Sequence, residues 1–298
     1  MLFEARDRLY RSGADRYRII ECAKCRLIRL DPPPNGPPAL EHASRRPLGS
    51  TVADRLERAC RRFLLSDHVS FISRAIEEAG DAGPILDFSP HGGLLRGALA
   101  ERGLPVFGMD GSAEAAAANR KSHGASVWAR LTEAPVAPAS CRAILLLQVL
   151  EHFANPLPLL EAAHSLLRPG GRLIVQAPNA ASWQFLLLGE SWSGLDVPRH
   201  RIDFRTSDLE ALLSATGFEI LRRKHFSLHD SPAGLARSLA PGLAPAVRHA
   251  RGTVETAAIR LAKDLLWCGL AVAAVPFTVL EAACRAGGTV MIEARKKA

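Results

Sequence analysis

Residues 84–177 alternate short apolar runs with amphipathic stretches, and this alternation constrains the fold more than any other feature. The apolar runs are PILDF (84–88), PVFGM (105–109), RAILLLQ (142–148) and RLIVQA (172–177), and a further short strand is expected near 125–128. Near-continuous apolar strands separated by helices are typical of a parallel sheet that is covered on both faces. The sequence therefore predicts an α/β fold with a doubly wound sheet.

The flanking segments add elements to this sheet. Apolar spacing over 50–80 predicts two amphipathic helices, and Pro169-Gly170-Gly171 is expected to end the helix that follows Asn155-Pro156. TVMIEAR (289–295) is expected to form the final strand. Segment 178–206 shows no regular pattern, and a loop of this length in a compact domain is usually functional.

Composition excludes several classes of protein. The chain has 298 residues with a net charge of +8, but Arg is spread along it and aromatic residues make up only 6%, so nucleic-acid binding is not expected. The mean hydropathy of +0.04 is too low for a polytopic membrane protein. The charged N-terminal segment is unlike a secretion signal, so we expect a cytoplasmic protein whose six cysteines form no structural disulfides.

The first 49 residues differ from the rest. The strand-like run YRIIECAKCRLIRL precedes the Pro-rich segment 31–38, which cannot form a helix interior. We therefore predict an N-terminal hairpin with a Pro-rich strap at 1–49 and a second domain at 50–298, which includes a C-terminal apolar helical insertion at 225–286.

The uncharged run 265–280 leaves three alternatives open. At about 16 residues it is shorter than the ~20 that span a bilayer, and Pro276 interrupts it. It is a buried core helix, a helical hairpin or a segment at a membrane surface. In the last case we expect 261–286 to contact anionic lipid at the inner membrane face, aided by the bases Arg285, Arg295, Lys296 and Lys297.

The turn after the first strand of the sheet is a candidate ligand site. In doubly wound sheets, ligands bind beyond the carboxyl ends of the strands, and small turn residues allow close approach. Gly92 and Gly93 supply such a turn, and Asp110 follows Asp87 by 23 residues, where an acid can accept both ribose hydroxyls of a nucleoside. The alternative is that Asp87 caps a helix or turn and that Asp110 is a solvated turn residue.

The block 141–179 resembles the class I S-adenosylmethionine-dependent methyltransferases. The residues that carry the resemblance are Leu150-Glu151-His152, Asn155-Pro156, Leu166-Leu167, Pro169-Gly170-Gly171 and Pro178-Asn179. The loop from Trp192 to His200, with the order Trp-x-Gly-Leu-Asp-x-Pro-Arg-His, resembles a subgroup of that family. The resemblance covers about 50–298. It implies a mostly parallel, seven-stranded Rossmann-like sheet with an antiparallel last strand.

The resemblance also implies roles for individual residues. The turn would hold the methionine end of S-adenosylmethionine. Asp110, which follows the second strand, would bind the ribose together with Gly111. Residues near 128–131 would flank the adenine, and the end of the fourth strand would face the sulfonium. The predicted cofactor-binding residues are Asp87, Ser89, His91, Gly93, Asp110, Gly111, Leu131, Gln148 and Leu150.

Two histidines are the candidate catalytic bases. His152 directly follows the fourth strand, and His200 lies in the long loop expected to cover the substrate. For each, a structural role is the alternative: His152 would pin the strand turn, and His200 with Arg199 would order the loop. We expect methyl transfer to an O, N or C atom of a small-molecule, saccharide-linked or lipid-linked acceptor. The sequence does not predict the acceptor or the oligomeric state.

The chain departs from the family pattern at several positions. Ser89 and His91 stand at the first two glycine positions of the cofactor turn, where a Cβ fills space. These changes leave a non-catalytic binding or scaffold protein as the alternative function. Cys22 and Cys25 resemble half of a zinc knuckle found in relatives, but zinc needs four ligands. No metal site is therefore predicted.

Overall fold

The computed structural model describes residues 1–34 apart from 12 and 14, then 52–89, 93–108 and 136–297, with only the helical backbone of 52–58. Six strands among these residues form the central sheet in the order β5-β4-β6-β7-β10-β9. Their bounds are β4 Ile85–Asp87, β5 Val106–Gly108, β6 Cys141–Leu147, β7 Leu167–Pro178, β9 Phe218–Lys224 and β10 Thr289–Lys296. The predicted strand at 125–128 lies outside the described residues.

Strand directions confirm the predicted fold class. Strand β4 is parallel to both β5 and β6, and β6 is parallel to β7. Strand β10 is antiparallel to its two neighbours, β7 and β9. The sheet is therefore mostly parallel with an antiparallel last strand, as expected for a doubly wound α/β fold.

Both faces of the sheet are covered, which explains the near-continuous apolar strands. All seven residues of β6 are buried. Alternate residues of a strand point to opposite faces. Ile144 and Leu146 therefore belong to one core cluster, while Ala143 and Leu145 belong to the other.

Helices pack on each face of the sheet. Helix α1 (Val52–Glu78) and helix α2 (Gly93–Ala100) cover the second of these cores, with Ile72 and Ile76 of α1 wholly buried. Helix α3 (Leu157–Leu166) and helix α5 (Thr206–Ala215) cover the first. The remaining helices are α4 Trp183–Leu188, α6 Ser231–Leu239, α7 Pro245–Ala250 and α8 Ala257–Ala283.

Two predictions about these elements were wrong. Residues 52–78 form one helix rather than two, because no residue between them prevents the helix from continuing past Ser66. The Pro169-Gly170-Gly171 run lies inside β7 rather than ending a helix, since α3 already ends at Leu166. Gly170 has a φ of +75°, and the β6–β7 register shifts at the start of the two strands.

The N-terminal strands form a second sheet with a strand from the long loop. Its order is β1-β2-β3-β8, with β1 Phe3–Arg6, β2 Arg16–Glu21, β3 Ile28–Asp31 and β8 Ile202–Asp203. Ile19, Ile28 and Leu30 share a core with Trp192 and Leu195 of the loop. The two predicted domains are thus joined by a sheet and by buried apolar side chains.

Helix α8 is continuous and largely exposed, so the predictions of a buried core helix or a helical hairpin at 265–280 were wrong. By length and composition it could cross a membrane, and 17% of its most apolar window is buried. Arg295 and Lys296 do not lie beside it. Arg295 pairs with Glu219, and the Lys296 ammonium donates to the Leu167 carbonyl, at the end of β10 farthest from α8.

Candidate active site

The order of the central strands reverses between β4 and β6. From β4 the chain moves to β5 on one side, and it returns to place β6 on the other side. Beyond the carboxyl ends of strands at such a switch point, the loops separate and leave a crevice where ligands of this fold bind. We call this place the crevice. Asp87, Ser89 and Gln148 lie at its edges.

Asp87 is buried beneath the crevice. One of its oxygens accepts a hydrogen bond from the Ser89 amide at 3.0 Å, and the other accepts from Arg96 Nη1 at 3.1 Å. Burial raises the pKa of Asp87, while the Arg96 guanidinium opposes the rise. Asp87 therefore serves as a bonded anchor for the turn and for α2.

Ser89 stands where the family pattern has a glycine, and its side chain makes a specific contact there. Its hydroxyl oxygen accepts a hydrogen bond from the Leu147 amide at 3.1 Å. Leu147 is the last residue of β6, so the Ser89 side chain joins the ends of two neighbouring strands across the crevice. A glycine could not make this bond.

Arg96 is a crevice residue that the sequence analysis missed. It lies one turn into α2, which begins at Gly93, one of the predicted cofactor-binding residues. Its guanidinium packs against Gly108 at the end of β5. A Cβ on Gly108 would lie 2.7 Å from Arg96 Cζ. The available signal was its position on the helix that follows the turn, but an arginine on an amphipathic helix is usually a surface residue.

Gln148 and Leu150, both predicted at the sulfonium, lie in different surroundings. Gln148 follows β6 with a φ of +56°, and its backbone amide donates to the backbone carbonyl of Gln176 at 2.8 Å. Residues other than glycine rarely adopt this conformation, which tends to occur at functional sites. Leu150 is wholly buried in the apolar core.

Four predicted cofactor residues, His91, Asp110, Gly111 and Leu131, lie outside the described residues. The ribose and adenine ends of the predicted site therefore stay predictions. For the methionine end, the structure brings together Asp87, Ser89 and the start of α2 at Gly93.

The two predicted bases contact each other, and both are buried. The His152 and His200 rings meet edge to face with centroids 4.8 Å apart. His152 Nδ1 donates to the Arg199 carbonyl at 3.2 Å, and His200 Nδ1 donates to the Gly194 carbonyl at 2.7 Å. These contacts hold the long loop against the end of β6. A catalytic role for either ring stays a prediction.

Glu151 belongs to the same cluster. Its backbone carbonyl accepts from the Arg201 amide at 2.7 Å, but its carboxylate oxygens accept no hydrogen bond from the described residues. Burial raises the pKa of Glu151 to about 8. Ligand atoms of Glu151, His152 and His200 lie within 4.8 Å of one another, a separation that could hold a metal ion.

Arg199 ties the loop to the N-terminal segment. Its guanidinium pairs with Asp196 and with Asp7, the latter at 3.2 Å, and it stacks 4.0 Å from the centre of the Tyr10 ring. A small cleft of about 20 Å³ opens beside this group, between the segments around Asp7 and Trp192. None of the residues that line the cleft belongs to β4, β6 or β7.

Cys22 and Cys25 lie at the tip of the β2–β3 hairpin. Hydrogen bonds from the Cys25 and Lys24 backbone lower the pKa of Cys22 to about 7. The thiolate that zinc binds is therefore accessible near neutral pH. The sequence predicts no metal site at this hairpin, and this expectation stays a prediction.

Comparison with known proteins gives the family. A sequence profile described as a methyltransferase domain matches residues 55–223, more than half of the chain. The chain belongs to this family. It is 32% identical over 158 residues to a ubiquinone biosynthesis O-methyltransferase of Pseudomonas aeruginosa strain LESB58, with 48% of this chain and 68% of that protein covered.

Other comparisons agree with a methyltransferase. A ubiquinone biosynthesis O-methyltransferase of Ruegeria pomeroyi is 34% identical over 154 residues, with 48% of this chain and 62% of that protein covered. A solved geranyl diphosphate methyltransferase in complex with S-adenosylmethionine superposes with a TM-score of 0.50 at 13% identity. That match covers 83% of this chain and 92% of the other, and it shows the shared fold.

Proposed function

We propose that this methyltransferase-family chain uses S-adenosylmethionine to methylate a hydroxyl oxygen of a small, lipid-linked acceptor. The observation that carries the proposal is the crevice at the switch point, with Ser89 and the start of α2 at Gly93 on one side and Gln148 on the other. The names of the relatives, which are O-methyltransferases of ubiquinone biosynthesis, support oxygen as the acceptor atom and a lipid-like acceptor. The subgroup resemblance of the Trp192–His200 loop remains part of this proposal.

The residues at the crevice fit the methionine end of the cofactor. The N-terminus of α2, at Gly93, presents backbone amides, which suit a carboxylate. We propose that Gln148 meets the donor group from the opposite side, which its partial exposure and positive φ at the end of β6 support. When bound, S-adenosylmethionine supplies an activated methyl group on sulfur, so the chain's contribution is to orient the acceptor, exclude water and remove a proton.

A transfer assay tests the proposal. The chain is incubated with S-adenosylmethionine labelled in the methyl group and with catechol, 4-dodecylcatechol, dodecyl maltoside or dodecylamine. We expect label in a catechol methyl ether, with the dodecyl form preferred. Transfer to dodecylamine alone would contradict oxygen as the acceptor atom, and absence of transfer to all four would favour the non-catalytic alternative.

We further propose that α8 rests on a membrane surface, where a lipid-linked acceptor is found. Seven large apolar side chains of this helix are each 49–70% exposed: Ile259, Leu261, Leu265, Leu266, Val272, Val279 and Leu280. Its two acids are engaged elsewhere, since Asp264 pairs with Arg248 and Glu281 is bonded to Gln184. The helix is about 40 Å long and leaves Arg260 exposed at its start, a charge that suits anionic lipid.

Vesicle sedimentation tests the membrane surface. We expect the full chain to sediment with vesicles that contain phosphatidylglycerol, and the double variant Leu265→Glu/Val272→Glu to remain in the supernatant, because two charges would enter the apolar face. The matched control is Val254→Glu, which places the same charge at a residue that is 98% exposed before α8. Equal sedimentation of all three proteins would overturn the proposal. With membrane contact, the chain would be a peripheral cytoplasmic protein.

A further inference from the structure

A second group of polar side chains lies at the carboxyl end of β7, on the face covered by α1. Its members come from α1, from β7, from the end of β9 and from the segment between β9 and α6, and none belongs to the family motifs: Asp67, His68, Gln176, Lys224, Ser227, His229 and Asp230. We call this group the β7 cluster.

Asp230 is held in place from several sides. One carboxylate oxygen accepts from Gln176 Nε2 at 2.7 Å and from the Ser227 hydroxyl at 2.9 Å, and it lies 3.4 Å from His68 Nε2. Contacts with His229, and then with His68, outweigh desolvation and hold the pKa of Asp230 well below its usual range. Asp230 is therefore a fixed carboxylate.

His68 is a buried partner in this arrangement. Burial opposes its protonation, but hydrogen bonds to Asp230 and Asp67 outweigh that effect and raise the pKa of His68 to about 9. Asp67 in turn accepts from Lys224 Nζ at 2.7 Å. The positive His68 ring thus stays paired, and its surroundings hold Asp230 rigidly.

His229 bonds to the other oxygen of Asp230. Its Nδ1 lies 2.7 Å from Asp230 Oδ1, and the His229 side chain is 26% exposed, whereas that of His68 is 4% exposed. A carboxylate partner at Nδ1 fixes the ring orientation and the tautomer, so the neutral ring carries its lone pair on Nε2. This is the arrangement of an oriented general base with an accessible ring.

Gln176 connects the β7 cluster to the crevice. Its backbone carbonyl accepts from the Gln148 amide at 2.8 Å, and its side chain donates to Asp230. The Gln176 residue therefore links Asp230, which orients His229, directly to Gln148 at the end of β6.

We infer that His229, oriented by Asp230, is the general base that takes the proton of the acceptor hydroxyl, a role that rests on the proposed function. The acceptor oxygen forms the new C–O bond, and the donor C–S bond breaks with its electron pair left on sulfur. The hydroxyl proton goes to His229 Nε2, and Asp230 stabilises the resulting imidazolium. Donor, acceptor and base account for every atom and charge in this step.

Charged groups face His229 from three elements. Asp230 is its direct partner, and the His68 ring on α1 lies 6.5 Å away between centroids. Asp67 on α1 and Lys224 on β9 form the next pair outward. A general base in this setting predicts a rate that rises with pH, a dependence that His229→Ala should lose.

The test compares His229→Ala with His249→Ala, a matched change at an exposed histidine on α7. The acceptor is 4-dodecylcatechol, and kcat is measured from pH 5.5 to 9. We expect His229→Ala to lower kcat at least about 100-fold, to lose the acidic limb and to regain rate with added imidazole. The control should behave as the wild type does.

A readout without turnover completes the test. In the wild type, added catechol should shift the NMR signals of the His229 ring in the absence of methyl donor, while affinity for S-adenosylhomocysteine should be equal in both variants. An active wild type with His229→Ala unchanged in rate, pH profile and NMR response would overturn the role of His229 alone. A wild type that transfers methyl to no hydroxyl would overturn both this role and the proposed function.

Discussion

Two pairs of histidines lie near the carboxyl edge of the central sheet, and they differ in what their Nδ1 atoms contact. In the pair His152 and His200, both Nδ1 atoms donate to backbone carbonyls. In the pair His68 and His229, both Nδ1 atoms lie beside carboxylates. The first pair carries the family motifs, and the second carries none.

The difference shows how the hydrogen-bond partner of a histidine ring determines the function that the ring can serve. A backbone carbonyl fixes a ring and so fixes the loop that provides the carbonyl, whereas a carboxylate also stabilises the protonated ring. We therefore propose loop anchoring for His152 and His200, which are at most 5% exposed, and proton transfer for His229, whose side chain is 26% exposed. The predictions below separate the two regions.

The largest effect is expected in the motif region, at Arg199. Arg199→Ala should lower the free energy of unfolding by about 3–5 kcal/mol, because Asp7 and Asp196 would be left buried without their cation. Urea denaturation measures the change. Arg295→Ala, which breaks an exposed pair with Glu219, is the control and should cost at most about 1 kcal/mol. Equal losses in the two variants would show that Arg199 does not anchor the loop.

An intermediate effect is expected in the β7 cluster, as a dependence of stability on pH. The pKa of His68 is raised from 6.5 to about 9, so its stabilising contribution is complete below pH 6.5 and is lost as pH rises through 9. The loss is about 1.4 kcal/mol per pH unit in that window, or about 3 kcal/mol in total. Urea denaturation at pH 6.5 and pH 9.5 measures it.

The matched variant for this measurement is His68→Gln, which keeps a polar side chain but does not titrate. Its unfolding free energy should change much less than that of the wild type between the two pH values. If the wild type and the variant lose stability in parallel, the His68 ring is not the titrating group.

The smallest effect is expected at the crevice, at Ser89. Ser89→Ala leaves the buried Leu147 amide without its acceptor and should lower the free energy of unfolding by about 1 kcal/mol. Ser165→Ala removes an exposed hydroxyl on α3 and is the control. If Ser89→Ala proves as neutral as the control, the bond between the β4 turn and β6 does not stabilise the crevice.

Much of the fold was predictable from the sequence because burial on both faces requires near-continuous apolar strands. The strands at 84–88, 142–148 and 289–295 follow from that requirement. The exposure of α8 was not predictable, because an apolar helix has the same sequence pattern whether protein, lipid or water covers it. The predicted end of α3 was also wrong, because β7 begins at Leu167, before the Pro-Gly-Gly run.

The candidate site was predictable only where residues are close in the chain. Asp87, Ser89 and Gly93 lie within seven residues of the sequence, and the structure places the first two after β4 and the third at the start of α2. The β7 cluster joins His68 to Gln176 across 108 residues, and Lys224 to Asp67 across 157. Such contacts are set by tertiary packing and leave no local spacing, so no sequence pattern marked His229.

The proposed function requires that the crevice of this methyltransferase-family chain holds the methyl donor, and calorimetry with S-adenosylhomocysteine measures that binding. We expect one site per chain with a dissociation constant on the order of 10 μM, about 7 kcal/mol of binding free energy. The same value is expected for His229→Ala, because the base touches the acceptor rather than the donor. If millimolar ligand gives no heat of binding, the crevice does not hold the donor.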